Sequence, residues 1–312
     1  MIYYGRSVRT CRNQFVWIAV VVCFALFSAC NPGRTANVGP SREITDDAGR
    51  RVSIPAKVDR VVSLAPNLTE IVFAVGAGNR LVGRTSYCDY PPEAKAIAEV
   101  GDTIHPNLEP IIALKPQVVL VSTASQLEVF TQQLQGQNIA VFVTDPHDLE
   151  GVFRSIEQIG EIVGEKDRAN QLVQKLRERT NAVEQAVKQK PPVRVFYQAS
   201  GEPLYTAGRD SFVTDLMRRA GATSVTADIP GAWPKYSNES ALAARPEAII
   251  LPTGGSMGAA NATVVEALRQ SPAVLNGRVY KINDDYLARP GPRLVDGLEE
   301  MARALHPDAF GR

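Results

Sequence analysis

The sequence predicts an α/β protein of two similar lobes with mostly parallel sheets, joined by one long bridging helix. Three observations point there: strand-like and amphipathic runs that alternate, a strand-free helical stretch in mid-chain, and an internal repeat. A chain of 312 residues is also long for one hydrophobic core, which makes two lobes the default.

Short β-branched, apolar runs occupy residues 61–64, 118–121 and 140–143 in the first half, and 194–197, 248–251 and 279–282 in the second. Amphipathic stretches separate them, the pattern of parallel strands with crossover helices. Residues 149–189 carry no strand character. Gly160 and Gly164 are expected to break that stretch, leaving residues 166–188 as one clean helix about 35 Å long. Pro191-Pro192 stops it. A helix bends only by giving up backbone hydrogen bonds, so lobes joined in this way are expected to open and close little.

The repeat is the most informative feature. Thr69-Glu70-Ile71-Val72 leads to Val75-Gly76-Ala77, and Thr214-Asp215-Leu216-Met217 leads to Ala220-Gly221-Ala222 at the same spacing. Farther on, Glu109 to Pro116 precedes one strand-like run and Glu239 to Pro246 precedes another, again at identical spacing. Gly after a helix and Pro beyond its end are common stop signals. Two matched blocks in the same order are better explained by duplicated lobes flanking a cleft. Gly76-Ala77-Gly78 follows a helix rather than a strand, and is expected to cap it rather than to bind a dinucleotide.

The first 29 residues are expected to be a targeting segment. Arg6, Arg9 and Arg12 form a basic start, and residues 15–29 are apolar and uncharged, too short for a spanning helix. The segment ends Leu26-Phe27-Ser28-Ala29-Cys30, which resembles a lipobox, so Cys30 is the expected lipidation site. The predicted organisation is a lipoprotein signal at 1–29, a tether at 30–42, an N-terminal lobe at 43–147, linking helices at 148–190 and a C-terminal lobe at 191–312. Formal net charge is +1, and removal of residues 1–29 takes three arginines and no acid, leaving −2. Nothing there predicts nucleic acid or an anionic membrane as a partner; the lipid is the only expected membrane contact. Cys11 and Cys23 would leave with the signal and Cys30 would carry lipid, so Cys88 has no partner for a disulfide and is expected to be buried.

Enzyme motifs are nearly absent. The three histidines, His105, His147 and His306, have no zinc-type spacing, and there is neither a Gly-x-Ser-x-Gly nor a phosphate-binding loop. No cofactor and no metal site are expected.

The stretches RVVSLAPNLTEIVFAVGAGNRLVG, TSYCDYPPEAK and NLEPIIALKPQVVLV resemble the N-terminal lobe of the cobalamin- and siderophore-binding proteins of ABC importers. The likeness runs from about Arg60 to the C-terminus, and the cobalamin-binding members are nearest. It implies an extracytoplasmic substrate-binding lipoprotein, held at the periplasmic or outer cell surface, that works as a monomer with an ABC permease dimer and its ATPase. It implies no catalysis. The ligand, a corrinoid or other metal chelate, would lie between the lobes on Tyr87, Tyr205 and Trp233, with Asp285 and Arg289 as polar contacts. A macrocycle with a broad apolar face and amide edges suits such a cleft. The resemblance also assigns Glu109 and Glu239, one on each lobe, to docking on permease arginines. These are the two acids that the repeat identifies independently.

One position departs from the family pattern. The cobalamin-binding members carry a tryptophan six residues before the first repeat glutamate, where this chain has Thr103. Trp233 occupies the matching place before Glu239. Haem or a ferric siderophore therefore remains an alternative ligand, with His105 nearby as either a metal ligand or a loop residue. A two-lobed chelatase-type enzyme is the distant alternative.

Overall fold

The computed structural model describes Met1 and residues 40–311 except 104, 123–126 and 256–261. The expected signal, Cys30 and most of the tether lie outside the described residues. The first described elements are an antiparallel hairpin of β1 (Ser41–Thr45) and β2 (Arg51–Pro55). The first lobe is then assembled from β3 (Val61–Ser63), α1 (Pro66–Ala74), β4 (Leu81–Arg84), α2 (Leu108–Ala113), β5 (Val118–Ser122), α3 (Leu127–Gln135) and β6 (Ala140–Thr144). Its four strands are all parallel, in the order β4-β3-β5-β6. Val118, Val119 and Leu120 have no exposed surface. A parallel sheet is covered on both faces, which is why these strands read as unbroken apolar runs.

Two helices follow, α4 (Leu149–Ile162) and α5 (Lys166–Val187). The second lobe contains β7 (Val193–Tyr197), the short pair β8 (Ser200–Gly201) and β9 (Leu204–Tyr205), α6 (Phe212–Arg219), β10 (Ala222–Ser224), α7 (Asn238–Ala243), β11 (Ala248–Thr253), α8 (Pro272–Leu275) and β12 (Val279–Asn283). Its four main strands are also parallel and take the order β10-β7-β11-β12. That is the connectivity of the first lobe, strand for strand. The chain ends with α9 (Asp284–Leu287) and α10 (Leu294–Leu305).

The repeat is visible in the backbone itself. Gly76 and Gly221 have φ of +84° and +77° just beyond α1 and α6, the left-handed turn that glycine allows at a helix end. Lys115 and Arg245 have φ of +48° and +47° just beyond α2 and α7. An uncommon conformation for a side-chain-bearing residue, recurring at equivalent places, is strong evidence of one ancestral unit.

The bridge is double. Helix α5 starts against the first lobe, where Glu165 pairs with Arg80 at 3.1 Å. It ends against the second, where Glu184 pairs with Arg219 at 2.6 Å. At 22 residues it is about 33 Å long. Helix α4 runs beside it in the opposite sense. The Leu149 amide donates to Asp215 of the second lobe at 3.1 Å, and Arg42 donates to the carbonyls of Glu161 and Ile162 at 2.6 and 3.0 Å. Gly160 does not break the helical stretch as the sequence predicts. It lies inside α4, where a Cβ would fall 2.2 Å from that of Ala169, so it is there for close helix packing. The break is at Gly164, with φ +71°.

Cys88 is buried, with its sulfur 3.2 Å from the Thr85 hydroxyl. Among the described residues no helix is long and apolar enough to cross a membrane.

Candidate functional site

A cavity of about 490 Å³ lies between the two sheets, a size suited to a small ligand. Its lining comes from the carboxyl ends of the parallel strands. Ala65 follows β3, Ser122 ends β5, Asp145 and His147 follow β6, Tyr197 ends β7 and Asp284 follows β12. Open parallel sheets present loops and helix starts there, free of ladder hydrogen bonds, and ligands bind in the resulting crevice.

The second lobe supplies an aromatic wall. Trp233 packs edge-on against Phe212 with ring centroids 5.8 Å apart, and tilted against Tyr197 at 6.1 Å. Trp233 remains 40% exposed and lines the cavity, so part of the indole is open to a ligand there. Tyr197 is fully buried beneath it, and burial followed by the nearby Asp284 charge pushes its phenol well above the ordinary range. On the first lobe the equivalent of Trp233 is Thr103. It lines the same cavity, with its hydroxyl 3.4 Å from that of Thr85. The cleft is therefore asymmetric, with a ring stack on one side and hydroxyls on the other.

The other predicted ligand residues are placed differently. Tyr87 and Tyr205 are each 37% exposed and are not part of the cavity lining. Arg289 lines the cavity but is only 3% exposed, and its guanidinium is committed elsewhere. Nη1 donates to Glu70 at 3.1 Å and to Asp89 at 2.9 Å, and Nη2 lies 3.0 Å from Asp285. Arg293 adds two hydrogen bonds to Glu70, at 2.8 and 2.6 Å, and stacks on the Tyr90 ring with 3.9 Å to its centroid. Asp285 and Arg289 are thus joined to one another and to the opposite lobe. Glu70 and Asp89 belong to the first lobe, the two arginines to the second, and the pairs tie the lobes together. Burial opposes ionisation of Asp89, but the Arg289 hydrogen bond and charge outweigh it and hold the carboxyl below its ordinary value. Its contribution to stability is therefore present above about pH 4 and is lost as pH falls through the lowered value.

Asp215, the repeat counterpart of Glu70, does a related job. It accepts from the Leu149 amide and from Arg218 and Arg219 at 2.6 and 2.7 Å. Burial works against its ionisation, and the two arginines and the amide overcome it, leaving the carboxyl low. One acid of the repeat reaches across to the other lobe, and the other anchors the linking helices.

Glu109 and Glu239 are exposed and stand second in α2 and α7, behind the capping side chains of Asn107 and Ser237. They occupy the same place on each lobe. His105 is 83% exposed beside Asp102 at 3.5 Å and is not on the cavity lining. The histidine that does reach the cavity is His147, with Nδ1 3.2 Å from the Asp210 carbonyl and Nε2 3.5 Å from Asp145. His306 is buried against the Gly221 carbonyl at 3.0 Å. Among the described residues no three His, Cys, Asp or Glu side chains gather in a metal-binding group. His147, Tyr197, Phe212 and Asp284 escaped the sequence reading. Their common signal is position, since most of them lie at or just beyond the end of a parallel strand.

Two parallel-sheet lobes, a double helical bridge and a ligand-sized cleft with one aromatic wall define a two-lobed solute-binding protein. The chain matches the periplasmic binding protein family over residues 61–286 and belongs to it. It is 31% identical over 310 residues to YvrC of Bacillus subtilis, an uncharacterised ABC transporter substrate-binding lipoprotein, covering 95% of this chain and 98% of that one. The vitamin B12-binding protein BtuF of Vibrio cholerae superposes with a TM-score of 0.71 at 26% identity, covering 82% of this chain and 99% of that one. A periplasmic haem-binding protein from Pseudomonas aeruginosa superposes with 0.69, also at 26% identity, over 80% and 93%. These are solute-binding proteins, and this chain is one rather than an enzyme. The chelatase-type alternative falls.

Removing one partner of a buried ion pair strands the charges left behind. Glu70→Ala should lower stability by about 3 kcal/mol, read by urea unfolding. A loss under about 1 kcal/mol would show that water screens the cluster.

Proposed function

We propose that the chain is the lipid-anchored, extracytoplasmic substrate-binding component of an ABC importer, and that its cleft takes cobalamin or a related corrinoid. The observation that carries the ligand reading is the partly exposed Trp233 indole, packed on Phe212 and Tyr197, on the lining of a cavity at the strand ends. A flat macrocycle buries its apolar face on such a wall at little conformational cost, because the rings already pack against each other. The likeness to BtuF supports the corrinoid, and the likeness to YvrC supports both the importer and the lipid anchor at Cys30. Tyr87 and Tyr205 then serve at the rim, where they are half exposed, rather than on the cavity floor. Haem is the second reading, favoured by the imidazole of His147 on the lining and by the likeness to the Pseudomonas protein.

Delivery works through a monomer that meets a two-fold permease dimer, driven by its ATPase. Glu109 and Glu239 supply one exposed carboxylate per lobe at equivalent positions. A pseudo-twofold pair of rim charges orients the encounter without belonging to the ligand site.

Trp233 is the only tryptophan outside the predicted signal, so its fluorescence reports on the cleft. Cyanocobalamin should quench it at one-to-one stoichiometry, and Trp233→Ala should weaken binding about thirtyfold. Absence of binding at micromolar protein would sink the corrinoid reading. The double variant Glu109→Ala, Glu239→Ala should abolish uptake in cells while leaving cyanocobalamin affinity unchanged. Normal uptake would refute the docking assignment.

A further inference from the structure

Among the described residues, Asp284 is the one carboxylate of the cavity lining that has no hydrogen-bond or ion-pair partner. It is 7% exposed, opens α9 at the end of β12, and lines the cavity. Its neighbour Asp285 is engaged by Arg289 at 3.0 Å. Among the described residues the Asp284 side chain has no hydrogen-bond or ion-pair partner. The backbone is shaped to admit it, because a Cβ at Gly255 would lie 2.8 Å from the Asp284 Cβ. Burial raises its carboxyl above the ordinary value, Asp285 adds to that, and Arg289 opposes it. A raised acid stabilises the fold at low pH, and that contribution is lost as pH rises through the raised value. A buried acid without a partner therefore weakens the empty protein near neutral pH.

The charges around it have one sign in excess. Asp145, Asp210 and Asp284 line the cavity, against His147 and Arg289. His147 is spanned by Asp145 and the Asp210 carbonyl. Arg289 already faces Glu70, Asp89 and Asp285, and Arg293 behind it faces Glu70. Tyr197 is held neutral by burial. Among the described residues of the lining, each cation already faces an acid or a carbonyl, and none is left over to receive an anionic ligand edge.

We propose that Asp284 is the specificity-determining acid of the cleft. It accepts a hydrogen bond from an N–H donor on the rim of a neutral or cationic macrocycle and turns away macrocycles whose rim carries carboxylates. This deepens the cleft assignment and rests on it. Corrinoids carry amide rims and haem carries two carboxylates, so the acid separates the two ligand readings by charge. A charge-assisted hydrogen bond formed out of water rewards the first class. An unpaired carboxylate brought beside Asp284 is penalised.

The test uses the full chain with cyanocobalamin and haemin as probes, titrated at pH 7.5 with tryptophan fluorescence and absorbance. Wild type should bind cyanocobalamin at least about a hundredfold more tightly than haemin. Asp284→Asn, which keeps the shape and removes the charge, should weaken cyanocobalamin about tenfold and strengthen haemin. Without ligand it should also unfold at a higher temperature than wild type. Haemin dimethyl ester, the same ring without carboxylates, should bind wild type more tightly than haemin does, an arm that needs no variant. Asp284→Ser serves if the Asn variant does not fold. Unchanged affinities in a folded variant, or equal binding of haemin and its ester, would overturn the role of Asp284 and leave the corrinoid cleft standing. Failure of wild type to bind cyanocobalamin would overturn the cleft reading and this one with it.

Discussion

The relation between the lobes depends on one buried carboxylate. Glu70 projects from the first lobe into a site that only the second lobe completes, where Arg289 and Arg293 receive it. Such a group is costly to bury alone and tolerable only in its full geometry. It therefore penalises arrangements in which the lobes slide or separate at this edge. The two linking helices impose a second, mechanical limit from behind, since α5 touches both lobes and α4 lies along it. A cleft held on one side by helices and on the other by ions should be largely preformed. Little ordering entropy is then left to oppose ligand binding.

Duplication explains the frame, and divergence explains the site. The two sheets share one strand order, and their helices end in the same left-handed turns. The equivalent positions around the cleft have drifted apart. Trp233 faces the cavity where the first lobe has Thr103, and Glu70 and Asp215 bind different structures from matching places. In the proposed function, a symmetric frame would offer two docking faces to a two-fold partner, whereas an asymmetric cleft would discriminate between the faces and edges of one ligand. Both properties come from the same repeat, read at the outside and at the inside of the lobes.

The frame was legible in the sequence because hydrophobic runs, glycine helix ends and prolines act locally. The strand runs and the helix over Lys166–Val187 come directly from that pattern. Gly160 was misread for the converse reason, since its role is a contact with Ala169 that no local rule encodes. The site was legible only in part. Trp233 stands out as an aromatic among turn residues. The pairing of Arg289 with Glu70 spans more than two hundred positions of sequence, and a single chain gives no signal at that range. Asp285 is singled out in the sequence and its neighbour Asp284 passed over, and only the folded arrangement shows that Asp284 is the one on the cavity lining.

The most direct measurement is a crystal structure of the protein with cyanocobalamin bound. The expected result places the corrin against the exposed part of the Trp233 indole, an amide of its rim on Asp284, and the Glu70 pairs with Arg289 and Arg293 unbroken. A ligand seated outside the strand ends, or lobes parted at Glu70 to admit it, would contradict a preformed cleft held by that carboxylate.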